Sequence, residues 1–287
     1  MATLTPKDFA TATPSWWCPG CGDYGVLAAL KQALAELELQ PKDVAFISGI
    51  GCSGKISGYV HSYAFHGVHG RSLPVATAVK LANRDLTVIA AGGDGDGYAI
   101  GAGHFIHAVR RNPDVTYIVM DNQTYGLTKG QSSPTSATGY VASVSPNGNP
   151  DAPLNGLAMA LAVGASFIAR AFSGQPKAMV ELFKEAIRHK GFSIVEVMSP
   201  CVTYNKINTY AWFREHVADV AAQGHDPSDR VAAFDALVRE DAIPLGVIYR
   251  NDRPTLEENV RLAETPIARL DLGAVRDRYA AMLAAYR

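Results

Sequence analysis

Short runs rich in Val and Ile recur along this chain, and longer amphipathic stretches separate them. Five of the short runs predict strands, namely Val44–Ser48, Leu86–Ala91, Val115–Met120, Ala165–Ala169 and Ser193–Val197. They are too short for free helices, and their composition is that of buried parallel strands. Three of the longer stretches predict helices, namely Gly25–Leu37, Ala99–Arg111 and Lys177–Lys190. The alternation predicts an α/β fold in which helices cover both faces of a parallel sheet.

Composition narrows the class of protein further. The chain has 287 residues, of which 48% are hydrophobic, and this is enough for one large α/β domain or two small ones. A formal net charge of −1 gives no basic field for nucleic acid. No apolar run reaches the roughly 20 residues of a membrane-spanning helix, and the N-terminus lacks a secretory pattern. We therefore expect a cytoplasmic protein, in which cysteines more often bind metals or catalyse reactions than form disulfides.

Polar or metal-binding side chains follow four of the five predicted strands. Cys52 follows the first, Asp94 and Asp96 the second, Asn122 the third, and Cys201 the last. In open parallel sheets, ligands bind beyond the carboxyl ends of the strands. We therefore expect these side chains to gather at one edge of the sheet.

The stretch G-G-D-G-D-G, residues 92–97, joins a predicted strand to a predicted helix. Glycines let the backbone approach a ligand, and a helix N-terminus favours an anion. A carboxylate would repel that anion unless a cation such as Mg²⁺ lay between them. Asn122 and a carbonyl oxygen could be further ligands of this cation. Three alternatives remain open: a calcium loop, which would need Glu where Phe105 stands, a D-x-D nucleotide-sugar motif, and a plain tight turn.

The four cysteines leave two metal chemistries open. Cys18 and Cys21 form a C-x₂-C pair, whereas Cys52 and Cys201 stand alone. A structural zinc site usually has a second ligand pair, which is missing here. Four cysteines also suit a [4Fe–4S] cluster. All four lie in loops that contain Gly or Pro, which argues against inert buried thiols.

Several cationic side chains lie near these motifs, namely Lys55, His66, His69, Arg71 and Lys129. Such groups could meet a carboxylate substrate, and a dicarboxylate such as 2-oxoglutarate would profit most. The alternative is a set of solvated lysines and hydrogen-bonded loop histidines.

Over roughly residues 14–205 the combined motifs resemble the β subunit of 2-oxoacid:ferredoxin oxidoreductases. The stretches that carry the resemblance are W-C-P-G-C-G-D-Y, G-I-G-C-S-G-K, H-G-R-S-L-P-V-A-T-A-V-K-L-A-N, G-D-G-D-G-Y-A-I-G-A-G-H and M-D-N-Q-T-Y-G-L-T-K-G-Q-S-S-P-T. The resemblance implies the diphosphate-binding half of a thiamine diphosphate fold, with an N-terminal cluster loop. The implied domain covers residues 1–204. Residues 205–287 would form a helix/loop C-terminal tail that packs on the same domain or on a partner.

Residue by residue, the resemblance implies three sites. Mg²⁺ would be bound by the side chains of Asp94 and Asn122 and the carbonyl of Thr124. The cofactor would further contact Gly51, Gly93, Gly95, Asp96, Tyr125, Gly126, Leu127 and Thr128. A [4Fe–4S] cluster would be held by Cys18, Cys21, Cys52 and Cys201. The candidate catalytic residues are Lys55, His69, Arg71 and Leu127.

The implied reaction is the oxidative decarboxylation of a 2-oxoacid with coenzyme A, or its reverse, with electrons passing to ferredoxin. The favoured substrate is 2-oxoglutarate, which would give succinyl-CoA. The chain is too short for two thiamine-type domains, so an α subunit would supply the activating Glu and the coenzyme A site, in a heterodimer or a dimer of heterodimers. Two alternatives stay open: a non-oxidative 2-oxoacid decarboxylase subunit with structural zinc, and a zinc-stabilised interaction module.

Overall fold

The computed structural model describes residues 3–142, 144–260 and 265–285. Its centre is an eight-stranded sheet, whose strands in chain order are β1 (Val44–Ser48), β2 (Tyr63–His66), β3 (Thr87–Gly93), β4 (Val115–Asp121), β5 (Phe167–Phe172), β6 (Ser193–Met198), β7 (Val217–Asp219) and β8 (Ile243–Arg250). Their order across the sheet is β2-β1-β3-β4-β6-β5-β8-β7. Neighbouring strands are parallel except for β5 and β8, which are antiparallel. The predicted α/β class is confirmed, with a sheet that is mostly parallel.

Helices cover both faces of this sheet. The α-helices are α1 (Asp23–Glu36), α2 (Ser72–Ala82), α3 (Ala102–Arg111), α4 (Gly156–Ala162), α5 (Pro176–Arg188), α6 (Tyr210–His216), α7 (Arg230–Val238), α8 (Leu256–Asn259) and α9 (Leu272–Ala284). Alternate strand residues enter two separate cores, as the pleat requires. Phe46 and Ile89 pack with α1 and α5, whereas Ala45 and Val88 pack with α2, α3 and α4.

The five predicted strands are all present, with changes at their ends. Val44–Ser48 has the predicted bounds, and the other four strands end one to three residues later than predicted. In β3 the added residues are Gly92 and Gly93, which keep extended pairing with Val119 and Met120. The sequence-based limit at Ala91 was therefore too early, since these glycines belong to the strand and not to the turn.

The C-terminal tail is not made of helices and loops alone, which corrects the sequence-based expectation. β8 pairs with β5 and so joins the tail to the central sheet. Its apolar run is interrupted by Pro244 and by Gly246, whose φ is +114°. A register shift between Ile168 and Ala169 of β5 leaves Ile248 of β8 as the additional residue, as in a β-bulge. The domain boundary at residue 204 stays a prediction.

The helix predicted from Ala99 begins earlier and in another form. A π-helical turn, Gly95–Ile100, follows β3 and leads into α3. The amide of Gly101 donates to the carbonyl of Asp96 across this turn at 3.0 Å. Turns of this type often occur at functional sites. Among the described residues, no helix is both long and apolar enough to cross a membrane.

Candidate cofactor and cysteine site

The loops after β1, β3 and β4 enclose a cavity of about 130 Å³ at the carboxyl edge of the sheet, hereafter the cofactor cavity. Its lining contains every predicted cofactor-binding residue, namely Gly51, Gly93, Asp94, Gly95, Asp96, Asn122, Thr124, Tyr125, Gly126, Leu127 and Thr128. His69 lines it as well. Pockets that enclose a small molecule usually measure about 300–1,000 Å³. This chain therefore forms only part of the walls that a thiamine-sized cofactor would need.

The glycines of the turn after β3 are required by close contacts. A Cβ atom on Gly95 would lie 2.1 Å from the ring of Tyr125. The Tyr125 hydroxyl donates to the carbonyl of Gly95 at 3.4 Å. The Tyr125 side chain thus packs closely against the turn.

Asp94 is buried at the start of this turn, with a relative exposure of 2%. Burial raises the pKa of its carboxyl to about 6. The Thr135 hydroxyl lies 2.7 Å from Oδ2 of Asp94 and 2.7 Å from Oδ1 of Asp121. One hydroxyl hydrogen can serve only one of these acceptors. Burial, followed by the charge of Asp94, raises the pKa of Asp121 well above its usual range.

The other two predicted magnesium ligands lie in the turn after β4. The side-chain oxygen of Asn122 accepts from the amide of Thr124 at 3.1 Å. The carbonyl of Thr124 accepts from the amide of Gly126 at 3.0 Å. Each oxygen keeps a second lone pair. With the Asp94 carboxylate they form an all-oxygen donor set of the kind that Mg²⁺ prefers, so the residues fit the ion.

Asp96 connects three loops. Its Oδ1 accepts from the amides of Ile50 and Gly70, both at 2.8 Å, and from Nδ1 of His69 at 2.6 Å. These donors follow β1 and β2, so the buried carboxylate holds both loops to the turn after β3. The contact occupies Nδ1 of His69 and leaves Nε2 as its second ring nitrogen at the cavity.

The predicted cations do not gather in one place. His69 lines the cofactor cavity, whereas the half-buried Lys55 lines a second cavity that contains the cysteines. Arg71 donates to two main-chain carbonyl oxygens at 3.2 and 3.3 Å and lines neither cavity. His66 and Lys129 are exposed. Of these five predicted cations, His69 and Lys55 are the two that line a cavity.

The second cavity, of about 190 Å³, is hereafter the cysteine cavity. It is lined by all four cysteines, namely Cys18, Cys21, Cys52 and Cys201. The amide of Gly22 donates to the carbonyl of Pro200 at 3.2 Å, and Nε1 of Trp17 donates to the carbonyl of Cys52 at 2.7 Å. These bonds hold the N-terminal loop against the two strand-end loops.

Zinc and a four-iron cluster make different demands on four cysteines. Zinc needs four sulfurs at about 2.3 Å from one point. Within the described ranges, no group of three or more His, Cys, Asp or Glu side chains is placed so that it could hold a metal ion. All four cysteines line the same cavity, so one group bound there could contact each of them.

The cofactor cavity and the cysteine cavity share a wall. Cys52, Asn122, Gly126 and Leu127 line both of them. A Cβ atom on Gly126 would lie 3.5 Å from Sγ of Cys201 and 3.6 Å from Sγ of Cys52. Groups bound in the two cavities would therefore be immediate neighbours.

Two thiols of the cysteine cavity, those of Cys21 and Cys52, are hard to ionise in the protein alone. Burial, and then the charge of Asp23, raises the pKa of Cys52 to about 11, although Lys55 acts in the opposite direction. Burial and Asp23 also raise the pKa of Cys21. Bound metal ions deprotonate coordinating thiols outright. The thiolates at this site would thus depend on the positive charge of the metal ions.

Sequence reasoning missed four residues of this site, namely Asp23, Asp121, Thr135 and Asn205. The side chain of Asn205 donates to the carbonyl of Asn122 at 3.1 Å, and the Ser199 hydroxyl donates to Asp23 at 2.7 Å. Asp23, Asp121 and Thr135 lie within stretches that carry the resemblance, whereas no local pattern indicates Asn205.

Comparisons with known proteins agree with this geometry. Residues 49–197 match the family of thiamine pyrophosphate enzyme C-terminal TPP-binding domains. Residues 201–264 match the C-terminal family of pyruvate ferredoxin oxidoreductase β subunits. The fold and the first match define a thiamine diphosphate-binding domain.

Relatives define the family more closely. The β subunit of 2-oxoacid:ferredoxin oxidoreductase 2 of Aeropyrum pernix is 42% identical over 265 residues, covering 88% of this chain and 86% of the relative. The 2-oxoglutarate synthase subunit KorB of Archaeoglobus fulgidus is 44% identical, covering 68% and 72%. The chain belongs to the β subunits of 2-oxoacid:ferredoxin oxidoreductases.

A solved structure has the same fold over nearly the whole chain. It is the 2-oxoglutarate:ferredoxin oxidoreductase of Magnetococcus marinus with 2-oxoglutarate, coenzyme A and succinyl-CoA bound. The TM-score is 0.89 at 44% identity, covering 91% of this chain and 90% of that one.

Proposed function

We propose that this β subunit oxidises a 2-oxoacid with coenzyme A and passes the electrons to ferredoxin through a [4Fe–4S] cluster. One turnover converts the 2-oxoacid anion and coenzyme A into acyl-CoA, CO₂, one proton and two electrons, and the reverse is reductive carboxylation. The observation that carries the proposal is the wall of Cys52, Asn122, Gly126 and Leu127 between the two cavities. An oxidative reaction needs a redox centre beside the cofactor, whereas a non-oxidative decarboxylase needs none.

In this proposal the cofactor cavity holds the diphosphate of thiamine diphosphate. Asp94, Asn122 and Thr124 would hold Mg²⁺ there, and residues 125–128 would contribute to the cofactor site. Bound thiamine diphosphate supplies the carbon chemistry, and the protein supplies binding, orientation and electrostatics. Asp96 keeps His69 oriented at the cavity by accepting from its Nδ1 at 2.6 Å.

The favoured substrate is 2-oxoglutarate. Relatives from A. fulgidus and M. marinus are named for this substrate at 44% identity. A dicarboxylate also needs a cation beyond the one that orients its 1-carboxylate. Lys55 and His69 are the cationic candidates that the structure places at the two adjoining cavities.

An α subunit would complete the cofactor cavity. The cavity is too small for a whole cofactor, and exposed apolar side chains stand near it, with Val68 72%, Ile100 52% and Leu127 46% exposed. A contiguous exposed apolar surface is typical of a protein interface. The α subunit would bring the activating Glu and the coenzyme A site.

The test is a substrate comparison in the heteromeric enzyme. The chain is co-expressed with its α subunit and purified without oxygen, and reduction of methyl viologen is followed with 2-oxoglutarate or pyruvate. We expect a higher kcat/KM for 2-oxoglutarate and no turnover by this chain alone. Preference for pyruvate would contradict the substrate assignment. Activity of the isolated chain would contradict the need for a partner.

A further inference from the structure

The loops that form the cysteine cavity are free of acidic side chains at the surface. The sequence has no Asp or Glu in residues 9–22, 49–84, 122–150 or 199–214, although the whole chain carries a net charge of −1. Asp23 adjoins the first of these segments but is only 1% exposed. The same segments carry Lys55, Lys129 and Lys206. The molecule is thus nearly neutral overall and positive around this cavity.

Two of these lysines flank the mouth of the cysteine cavity. Lys206 is exposed, and its Nζ donates to the carbonyl of Val202, which lines the cavity. Lys129 is also exposed, and the adjoining Gly130 lies against Tyr204, whose ring a Cβ atom there would approach to 3.0 Å. Neither lysine forms an ion pair with a carboxylate in the described part of the chain.

Exposed apolar side chains accompany the lysines. Trp16 is 72% exposed, Ile207 51% and Tyr204 37%, and both Trp16 and Tyr204 line the cysteine cavity. Cys18 is the most exposed of the four cysteines and lines the same cavity. Aromatic anchors with a surrounding charged rim are the usual composition of a protein-binding surface.

We propose that Trp16, Lys129, Tyr204, Lys206 and Ile207 form the docking surface for an acidic electron-carrier protein. The inference rests on the proposed function, which requires a one-electron acceptor at the cluster. Each encounter removes one electron from the cluster and reduces one carrier, so one 2-oxoacid reduces two carriers. Positive charge at the mouth steers an acidic carrier to the point nearest the cluster, and the contact remains weak enough for release between the two transfers.

The test is charge reversal in the complete enzyme. The variant Lys129→Glu with Lys206→Glu is compared with Lys42→Glu with Lys190→Glu. The control lysines are exposed and precede β1 and β6, so they lie at the opposite edge of the sheet. Their substitution changes the net charge by the same amount. The probes are a purified acidic [4Fe–4S] ferredoxin, methyl viologen and coenzyme A, and ferredoxin binding is also measured directly on the immobilised enzyme.

We expect the test variant to lose at least about tenfold in kcat/KM for ferredoxin, since electrostatic steering raises association rates by 10–10³. Ferredoxin binding should weaken and depend less on salt, while viologen reduction, iron content and the KM for coenzyme A stay unchanged. The control should behave as wild type. The proposed docking surface would be overturned if the test variant bound and reduced ferredoxin as the wild type does. It would also be overturned if the variant raised the KM for coenzyme A and left ferredoxin binding unchanged. If the wild-type enzyme reduced viologen with no 2-oxoacid, the proposed function would be overturned. The docking surface would then still be tested by the direct measurement of ferredoxin binding.

Discussion

Replacing Cys52 by serine is expected to abolish 2-oxoacid-dependent reduction of ferredoxin while thiamine diphosphate still binds. Cys52 lies in the wall between the two cavities and is the predicted cluster ligand nearest the cofactor. Serine removes the thiolate that the cluster requires. The other residues of the cofactor cavity remain. Iron and sulfide content, low-temperature electron paramagnetic resonance after dithionite reduction, and bound thiamine diphosphate are measured on the same anaerobic preparation.

Thr203→Ala is the matched control for the cysteine variant. Thr203 is exposed and lines the same cavity, but its hydroxyl is not a predicted ligand. The control should keep the full iron content and wild-type ferredoxin reduction. A Cys52→Ser enzyme with a normal cluster and normal electron transfer would contradict the assignment of Cys52. Loss of thiamine diphosphate together with iron would show that the substitution disturbs the shared wall as a whole.

Replacing Asp94 by asparagine is expected to weaken Mg²⁺-dependent binding of thiamine diphosphate by at least about 100-fold. Mutation of groups that only support a metal ligand already costs 10–100-fold in affinity, and Asp94 is the predicted charged ligand itself. Affinity is measured by titration calorimetry of the heteromeric apoenzyme with thiamine diphosphate at fixed Mg²⁺. The exposed Asp151, changed to asparagine in the same way, is the control and should bind as wild type.

The pH dependence of this binding is a further part of the same prediction. Burial raises the pKa of Asp94 to about 6, so the carboxyl binds a proton below that pH and must lose it to bind Mg²⁺. Wild-type affinity should therefore fall as the pH is lowered from 7 through 6. The Asp94→Asn variant should lose less affinity across this window, because no proton on residue 94 competes with Mg²⁺ and the protonation of the ligand's phosphate remains. Equal pH profiles in the two proteins would contradict the role of Asp94.

The strand ends explain why much of the site was predictable from sequence. A short run rich in Val and Ile indicates a buried parallel strand. The residue that follows such a strand must lie at the carboxyl edge of the sheet. Cys52, Asp94, Asn122 and Cys201 all follow such runs, and the structure brings them to the two adjoining cavities. For these four residues, the local sequence pattern and the topology of a parallel sheet together are sufficient to predict their place at the site.

Other features depend on tertiary contacts that no local pattern encodes. Thr135 contacts Asp94 although the two are 41 positions apart in sequence, with α3 and β4 between them. Arg71 lies in a cation-rich stretch, yet its guanidinium donates to nearby carbonyls and lines neither cavity. β2 was missed because its run of four residues at the sheet edge is short and contains no Val or Ile. β8 was missed because Pro244 and Gly246 interrupt its run.

The central claim is that a [4Fe–4S] cluster and thiamine diphosphate occupy the two adjoining cavities of this β subunit. The most direct measurement is the iron, acid-labile sulfide, zinc and thiamine diphosphate content of the anaerobically purified heteromeric enzyme. We expect about four irons and four sulfides per β chain, with thiamine diphosphate bound and zinc absent. Zinc in place of iron, with thiamine diphosphate still bound, would contradict it and assign the chain to a non-oxidative enzyme.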